Sequence, residues 1–209
     1  METKKKTRRK NKTVKHKNKI KKINKIFVSC KWPKLCEQEQ AEFATNPTAH
    51  HTYGYITPEG LTTLLKGIRK KGRTFYDLGS GIGRPAVSVA MLFPQIEKIV
   101  GIEISNQRHK ESERILETLP ECYQSKITFI HKNFLHVNLK DADIIWTSSL
   151  CLPQECLEQL GKKINTEAKP GTRVFSSKAL AIPRATPPKI IYVKQSWKDD
   201  SKVHCYKIK

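Results

Sequence analysis

TFYDLGSGIGRP, residues 74–85, ends an apolar run on a carboxylate, Asp77, and then passes through glycines at 79, 81 and 83. Glycine reaches backbone angles closed to other residues and lets a ligand approach the main chain, so alternating glycines between a strand and a helix predict a loop wrapped around a ligand. On its N-terminal side, TPEGLTTLLKGI (57–68) predicts a helix capped by Thr57, with Pro58 in its first turn and Leu61, Leu64, Leu65 and Ile68 on one stripe. On its C-terminal side a helix starts at Pro85 (PAVSVAMLF) and the strand KIVGIEI (98–104) follows. A charged helix, NQRHKESERILETL (106–119), ends before Pro120. The strands KITFIHKNF (126–134) and ADIIWTSSL (142–150), the helix LPQECLEQLGKKI (152–164) and a fifth strand, TRVFSSKAL (172–180), come next. KIIYVKQSW (189–197) and KVHCYKIK (202–209), separated by the turn-forming KDDS, predict a C-terminal antiparallel hairpin. The order predicts an α/β fold: a Rossmann-like, seven-stranded mixed sheet with helices on both faces, binding its ligand beyond the carboxyl ends of the strands.

The chain has 209 residues and a formal net charge of +21, unevenly placed. Residues 4–25 hold thirteen Lys or Arg and no acidic residue. Such a segment lacks the apolar area to build a core, so residues 1–26 are expected to form a disordered arm and residues 27–209 the folded domain. In the arm, Lys4, Lys5, Lys6, Arg8, Arg9, Lys10, Lys12, Lys15, Lys17, Lys19, Lys21, Lys22 and Lys25 are the candidates for neutralising nucleic-acid phosphates. No apolar run reaches membrane-spanning length and no secretory signal pattern opens the chain, so a soluble intracellular protein without a membrane partner is expected. The six cysteines show no Cys-x-x-Cys spacing and are expected to be reduced thiols. Cys30, Cys36, His50 and His51 fit no familiar zinc spacing, and no metal is expected.

Three ligands suit a glycine loop of this kind. A nucleoside triphosphate calls for Lys and then Ser or Thr after the last glycine, where this chain has Arg84 and Pro85. A dinucleotide pyrophosphate would meet the charge of Asp77. S-adenosylmethionine carries no phosphate but an ammonium and a sulfonium, so an acidic strand end attracts it. Glu103, twenty-six residues after Asp77 at the end of the second strand, is placed to accept from ribose hydroxyls. Asn133 and Phe134, expected to end the third strand, are candidates for the adenine amino group and ring face. The reading is a class I methyltransferase that uses S-adenosylmethionine and releases S-adenosylhomocysteine, with Asp77, Gly79, Ser80, Gly81, Gly83, Glu103, Asn133 and Phe134 around the cofactor.

YGYITPEGLTTLL, FYDLGSGIGR, GIEIS, NFL, IIWTSSLCLP and GTRVFSSKAL together resemble the disruptor-of-telomeric-silencing histone lysine methyltransferases, which lack a SET domain and modify the globular face of the nucleosome. The resemblance spans about residues 50–180, and YGYITPEG is its most discriminating piece. It implies that Tyr53, Gly54 and Thr57 or Ile56 fold over the methionine end of the cofactor, and that Ser148 and Ser149 shape the lysine channel, with Ser177 and Lys178 close by. Tyr53, Phe134, Trp146 and Leu150 are its candidate walls. Tyr53, Tyr55, Ser148 and Ser149 are the catalytic candidates, with Ser148 or Tyr55 hydrogen-bonding the amine. The chain departs from the family with Tyr55 for Glu, Arg84 for Gln, Asn133 for Asp and Ser148 for Asn. Asn133 still offers a carbonyl acceptor, Ser148 is shorter, and Arg84 brings a cation to the end of the loop.

The resemblance implies a histone lysine N-methyltransferase that binds nucleosomes through histone and DNA phosphates in the nucleus, or otherwise acts in the cytoplasm. An RNA or cap methyltransferase is the main rival, since a basic arm serves it equally. The base N-methylase motif, the Pro-Cys nucleophile of cytosine enzymes and the ribose methylase tetrad are not evident. A cofactor-binding nucleosome scaffold with weakened catalysis is the non-enzymatic rival.

Overall fold

The computed structural model describes residues 2–28, 30, 35–46, 54–68 and 73–209. Its centre is strand β1 (Arg73–Leu78), whose side chains alternate between two cores. Phe75 faces one side, Tyr76 and Leu78 the other. The remaining strands are β2 (Ile96–Glu103), β3 (Ile127–His131), β4 (Ile144–Thr147), β5 (Arg173–Ser176), β6 (Lys189–Gln195) and β7 (Lys198–Lys207). They form a seven-stranded sheet in the order β3-β2-β1-β4-β5-β7-β6, parallel except for β7, which is antiparallel to both β5 and β6. The mixed sheet and closing hairpin match the sequence expectation. Between β1 and β4 the strand order reverses direction, which opens a crevice at the carboxyl ends of the strands.

Seven helices complete the described fold: α1 (Glu2–Val28), α2 (Glu37–Thr45), α3 (Pro58–Leu64), α4 (Arg84–Leu92), α5 (Asn106–Glu117), α6 (Glu121–Gln124) and α7 (Gln154–Glu167). Helices α1, α3, α4 and α5 cover one face around Phe75, Ile99, Trp146 and Phe175; α7 covers the other, setting Cys156, Leu157, Leu160 and Ile164 against Leu78, Ile102 and Val174. Thr57 caps α3 as expected, its Oγ1 accepting from the N–H of Gly60 at 3.1 Å. All six cysteines are free thiols.

Three expectations are corrected. The basic segment is helical instead of disordered, and the domain reaches back into it. Ile23 and Phe27 are 1% and 2% exposed in the core, with Ile20 and Ile26 packed alongside. Lys19 Nζ donates to the carbonyl of Met91 at 2.7 Å, near the C-terminal end of α4 where a cation meets unsatisfied carbonyls. The hairpin turn is at 196–197, not at KDDS. Gln195 pairs with Lys198, and the tip is fastened to the segment before α3 by Ser196 N–H to Tyr55 O at 2.9 Å and Tyr55 N–H to Ser196 Oγ at 3.1 Å. This draws Asp199 and Asp200 into β7, where ion pairs with Lys194 (3.2 Å) and Lys198 (3.4 Å) hold them. Third, β3 ends at His131; Asn133 Oδ1 accepts from the N–H of Leu135 at 2.9 Å and starts a short 3-10 turn at Phe134–His136 instead of prolonging the strand.

Candidate active site

A cavity of about 340 Å³ opens over the carboxyl ends of β1, β2 and β4, within the size range of small-molecule sites. One half is built by the glycine loop and strand ends, through Leu78, Gly79, Gly81, Glu103, Asn133 and Phe134. The other is more apolar and contains Phe43, Gly54, Leu150, Leu152 and Trp197, with Thr147, Ser148 and Cys151. The loop turns on positive backbone angles, with φ of +82° at Gly79, +56° at Gly81 and +81° at Gly83, a region that favours glycine. At Gly83 a side chain would also run into the ring of Phe129, so this glycine serves packing and does not line the cavity.

Glu103 is the cavity's carboxylate. Its Oε2 accepts from Gly81 N–H at 2.7 Å and its Oε1 from Ser105 N–H at 2.9 Å, so one side chain fixes both the glycine loop and the start of α5. Asp77 is placed differently from the sequence expectation. Strand alternation puts it on the face of Phe75, under α4 and outside the cavity lining, with 1% exposure. The Ala86 N–H donates to its carboxylate, which ties the end of β1 to the first turn of α4, while its Oδ2 has no partner among the described residues. Burial above all, with the charge of Glu103 adding to it, raises the Asp77 pKa to about 8. A proton is therefore bound in the folded state between the unfolded value of 3.8 and about 8. That contribution to stability is complete below the unfolded value and is lost as pH rises through the folded one. Asp77→Asn, with a neutral amide in place of a neutral acid, is expected to melt closest to the wild type near pH 4 and to gain on it as pH rises. By pH 8.5 it should exceed the wild type by roughly 10 °C, measured by thermal melts across that range.

Gly79, Gly81, Glu103, Asn133, Phe134, Ser148, Leu150 and Gly54 meet around the cavity; Ser80, Thr57 and Tyr55 are absent from its lining. Thr57 is held by its capping role and by Oγ1 donating to Lys194 O at 3.1 Å. Tyr55 turns toward Arg84, whose guanidinium lies between the Tyr55 and Phe27 rings, 4.5 and 4.6 Å from their centroids. Arg84 also donates to the Tyr55 hydroxyl at 3.3 Å and to Phe27 O at 3.1 Å, so this cation points away from the cavity. Ser149 lies behind the wall, its Oγ 2.7 Å from Ser176 Oγ and accepting from Lys178 N–H at 2.8 Å. Lys178 Nζ donates to Leu152 O at 3.0 Å and braces the same wall, and Ser177 is buried with its Oγ 3.5 Å from Gln195 Nε2. Trp146 is core, 1% exposed. Tyr53, His50 and His51 lie outside the described residues. Sequence reasoning missed Phe43, Ile104, Arg108, Thr147, Cys151, Leu152 and Trp197 in the lining. The pressure of the Trp197 indole on Gly54, where a Cβ would collide with the ring, had no local signal to announce it.

Residues 42–191, more than half of the chain, match the family described as histone methylation protein DOT1. The chain belongs to that family. It is an S-adenosylmethionine-dependent methyltransferase with the class I fold. No curated protein matches the sequence. Among solved structures it is similar to an RNA methyltransferase from Salinibacter ruber in complex with S-adenosyl-L-homocysteine, at 19% identity and a TM-score of 0.54 over 72% of this chain and 89% of that one. It is similar to TrmN from Thermus thermophilus, at 20% identity and a TM-score of 0.58 over 74% of this chain, spanning 49% of TrmN. The methyltransferase domain of bacterial CtHen1 matches at 13% identity and a TM-score of 0.53, over 71% of this chain and 95% of that one. At such identities the likeness is one of fold.

Proposed function

We propose that this DOT1-family chain is a lysine N-methyltransferase that modifies histone within the nucleosome. The supporting observation is one cavity lined both by the glycine loop and strand-end residues and by Phe43, Leu150, Leu152 and Trp197, with Ser148 in the same lining. S-adenosylmethionine supplies a methyl group on a sulfonium, activated for in-line displacement. The residues present suit that cofactor. Glu103 would accept from the ribose, Gly79 and Gly81 leave the main chain open to the methionine end, and Asn133 and Phe134 would meet the adenine. Thr147, buried in the lining, has a hydroxyl with no partner among the described residues.

An ammonium has no lone pair to offer, so the acceptor lysine must arrive neutral. The apolar half favours the neutral amine by withdrawing water from it. The titratable groups in the described lining are Glu103, Arg108 and Cys151, and Glu103 is engaged with two backbone N–H groups. Desolvation and positioning would therefore carry the reaction, and Ser148, in the lining, would orient the incoming nitrogen.

For the nucleosome, α1 offers a formed basic helix. Lys15, Lys17, Lys21, Lys22 and Lys25 are exposed along it, opposite the buried Ile23 and Phe27, whereas Lys19 is occupied at Met91. The side chains of Lys4, Lys5, Lys6, Arg8, Arg9, Lys10 and Lys12 lie outside the described residues. Incubation with radiolabelled S-adenosylmethionine and nucleosomes, free histones or RNA tests the reading. Label is expected on histone, most strongly in nucleosomes; label confined to RNA, or none, overturns it. Deleting residues 1–12 removes seven Lys or Arg without touching the core contacts of α1. If about six of them meet DNA phosphates, the log–log salt slope of nucleosome binding should flatten by about 5. An unchanged slope would show that this half of the helix is no DNA anchor.

A further inference from the structure

We propose that Glu39 is a positioning residue that latches α2 over the cofactor cavity and ties that helix to Glu103. Helix α2 is nine residues long, too short to persist in water without tertiary contacts. Seven of its residues are exposed; only Glu39, at 7%, is buried, and Phe43 is half-buried in the cavity lining. Phe43 follows Glu39 by four positions, so the two share a face, and fixing the carboxylate fixes the ring above the cavity. A carboxylate leaves water only when donors replace it. Here Glu39 Oε1 accepts from Ser105 Oγ at 3.1 Å and from Gln107 N–H at 3.2 Å, at the N-cap and first turn of α5, where the helix dipole favours an anion, while its buried Oε2 has no partner among the described residues.

Ser105 carries the connection. Its N–H donates to Glu103 Oε1 at 2.9 Å, its hydroxyl donates to Glu39 and accepts from Arg108 N–H at 3.2 Å, and Glu103 Oε2 holds Gly81. The path from glycine loop to lid is thus Gly81, Glu103, Ser105, Glu39 and, one turn on, Phe43. A cofactor drawn against Glu103 stiffens the serine that seats the lid. The seated lid in turn narrows the exit.

The inference rests on the cofactor occupying this cavity, which Glu103→Ala tests by itself, so a negative result at Glu39 alone leaves that assignment standing. The experiment uses the full chain, with calorimetric titration and stopped-flow release of S-adenosylhomocysteine. Glu39→Ala, losing a charged acceptor of two hydrogen bonds, is expected to raise Kd and the release rate about tenfold. Glu39→Gln keeps an acceptor oxygen and should stay within about threefold of wild type. The melting temperature should be nearly unchanged, because α2 adds little to the core. Phe43→Ala should reproduce the loss, and the double variant should be no worse than Glu39→Ala, the non-additivity expected of residues acting as one unit. Wild-type affinity and release in Glu39→Ala overturn the proposal, as does an additive double variant. Should Glu39→Ala fail to fold, hydrogen exchange on the wild type decides. Added S-adenosylhomocysteine is expected to slow exchange in residues 38–45, and equal exchange with and without it overturns the latch.

Discussion

Glu103→Ala is expected to weaken S-adenosylhomocysteine binding by at least about a hundredfold in calorimetric titration, from two lost hydrogen bonds to a charged group and from the lost ligand contact. The carboxylate spans the site: Oε2 on Gly81 N–H at 2.7 Å and Oε1 on Ser105 N–H at 2.9 Å. Removing it strands two buried donors and frees the glycine loop at its middle residue. Gly81 sits at a φ of +56°, between a Gly79 and Ser80 anchored on Ile102 O and a Gly83 anchored on Ser80 O, and Glu103 is the side chain that fixes its own N–H. The ligand would then have to order the loop as well as bind it. Glu103→Gln separates these effects. Its carbonyl oxygen can serve one of the two N–H groups, while its amide nitrogen faces the other donor, so an intermediate loss of roughly tenfold is expected. Binding at wild-type strength in Glu103→Ala would place the cofactor elsewhere.

The fold downstream of residue 57 was legible because each element carries its own signal. The Thr57 cap, the alternation in RTFYDL, the glycines and the amphipathic α7 are local patterns, and local physics sufficed to order them. The site was legible in part, for the same reason and with the same limit. Glu103 ends its strand, while Gly79, Gly81, Asn133 and Phe134 follow just beyond the ends of theirs, where the element order points, and all line the cavity. Asp77 shows what strand parity adds. Two residues from Phe75 it must share that residue's face, so it lies under α4, where it shapes the loop from beneath. The apolar half was beyond local reading. Phe43 comes from a helix without a strong periodic signal, and Trp197 reaches the cavity from a hairpin tip whose turn is set by contacts with Tyr55. In α1 the charge excess masked a short apolar stripe, Ile20, Ile23, Ile26 and Phe27, that tertiary packing turns into an anchored helix.

That stripe carries the second large effect. Phe27→Ala is expected to cost about 3–5 kcal/mol, the usual range for truncating a fully buried Phe, and to lower the melting temperature by roughly 10 °C. The ring is 2% exposed in the core shared with Leu61, Leu64, Val87 and Met91, so its loss leaves a cavity that the sheet cannot close. A second consequence follows from Arg84. Its guanidinium is stacked 4.6 Å from the Phe27 ring and 4.5 Å from that of Tyr55, at the first residue of α4, directly after the glycine loop. With one face of the stack gone, the start of α4 loosens and Gly83 loses its fixed neighbour. S-adenosylhomocysteine binding should therefore weaken by about tenfold even below the melting transition, as losing one desolvated cation–π contact implies. Deleting residues 1–12 should leave both readouts unchanged, whereas deleting residues 1–28 should unfold the domain. If Phe27→Ala melts like the wild type, α1 is an appendage and the basic segment is an arm after all; if it melts early yet binds normally, the helix belongs to the core but not to the loop.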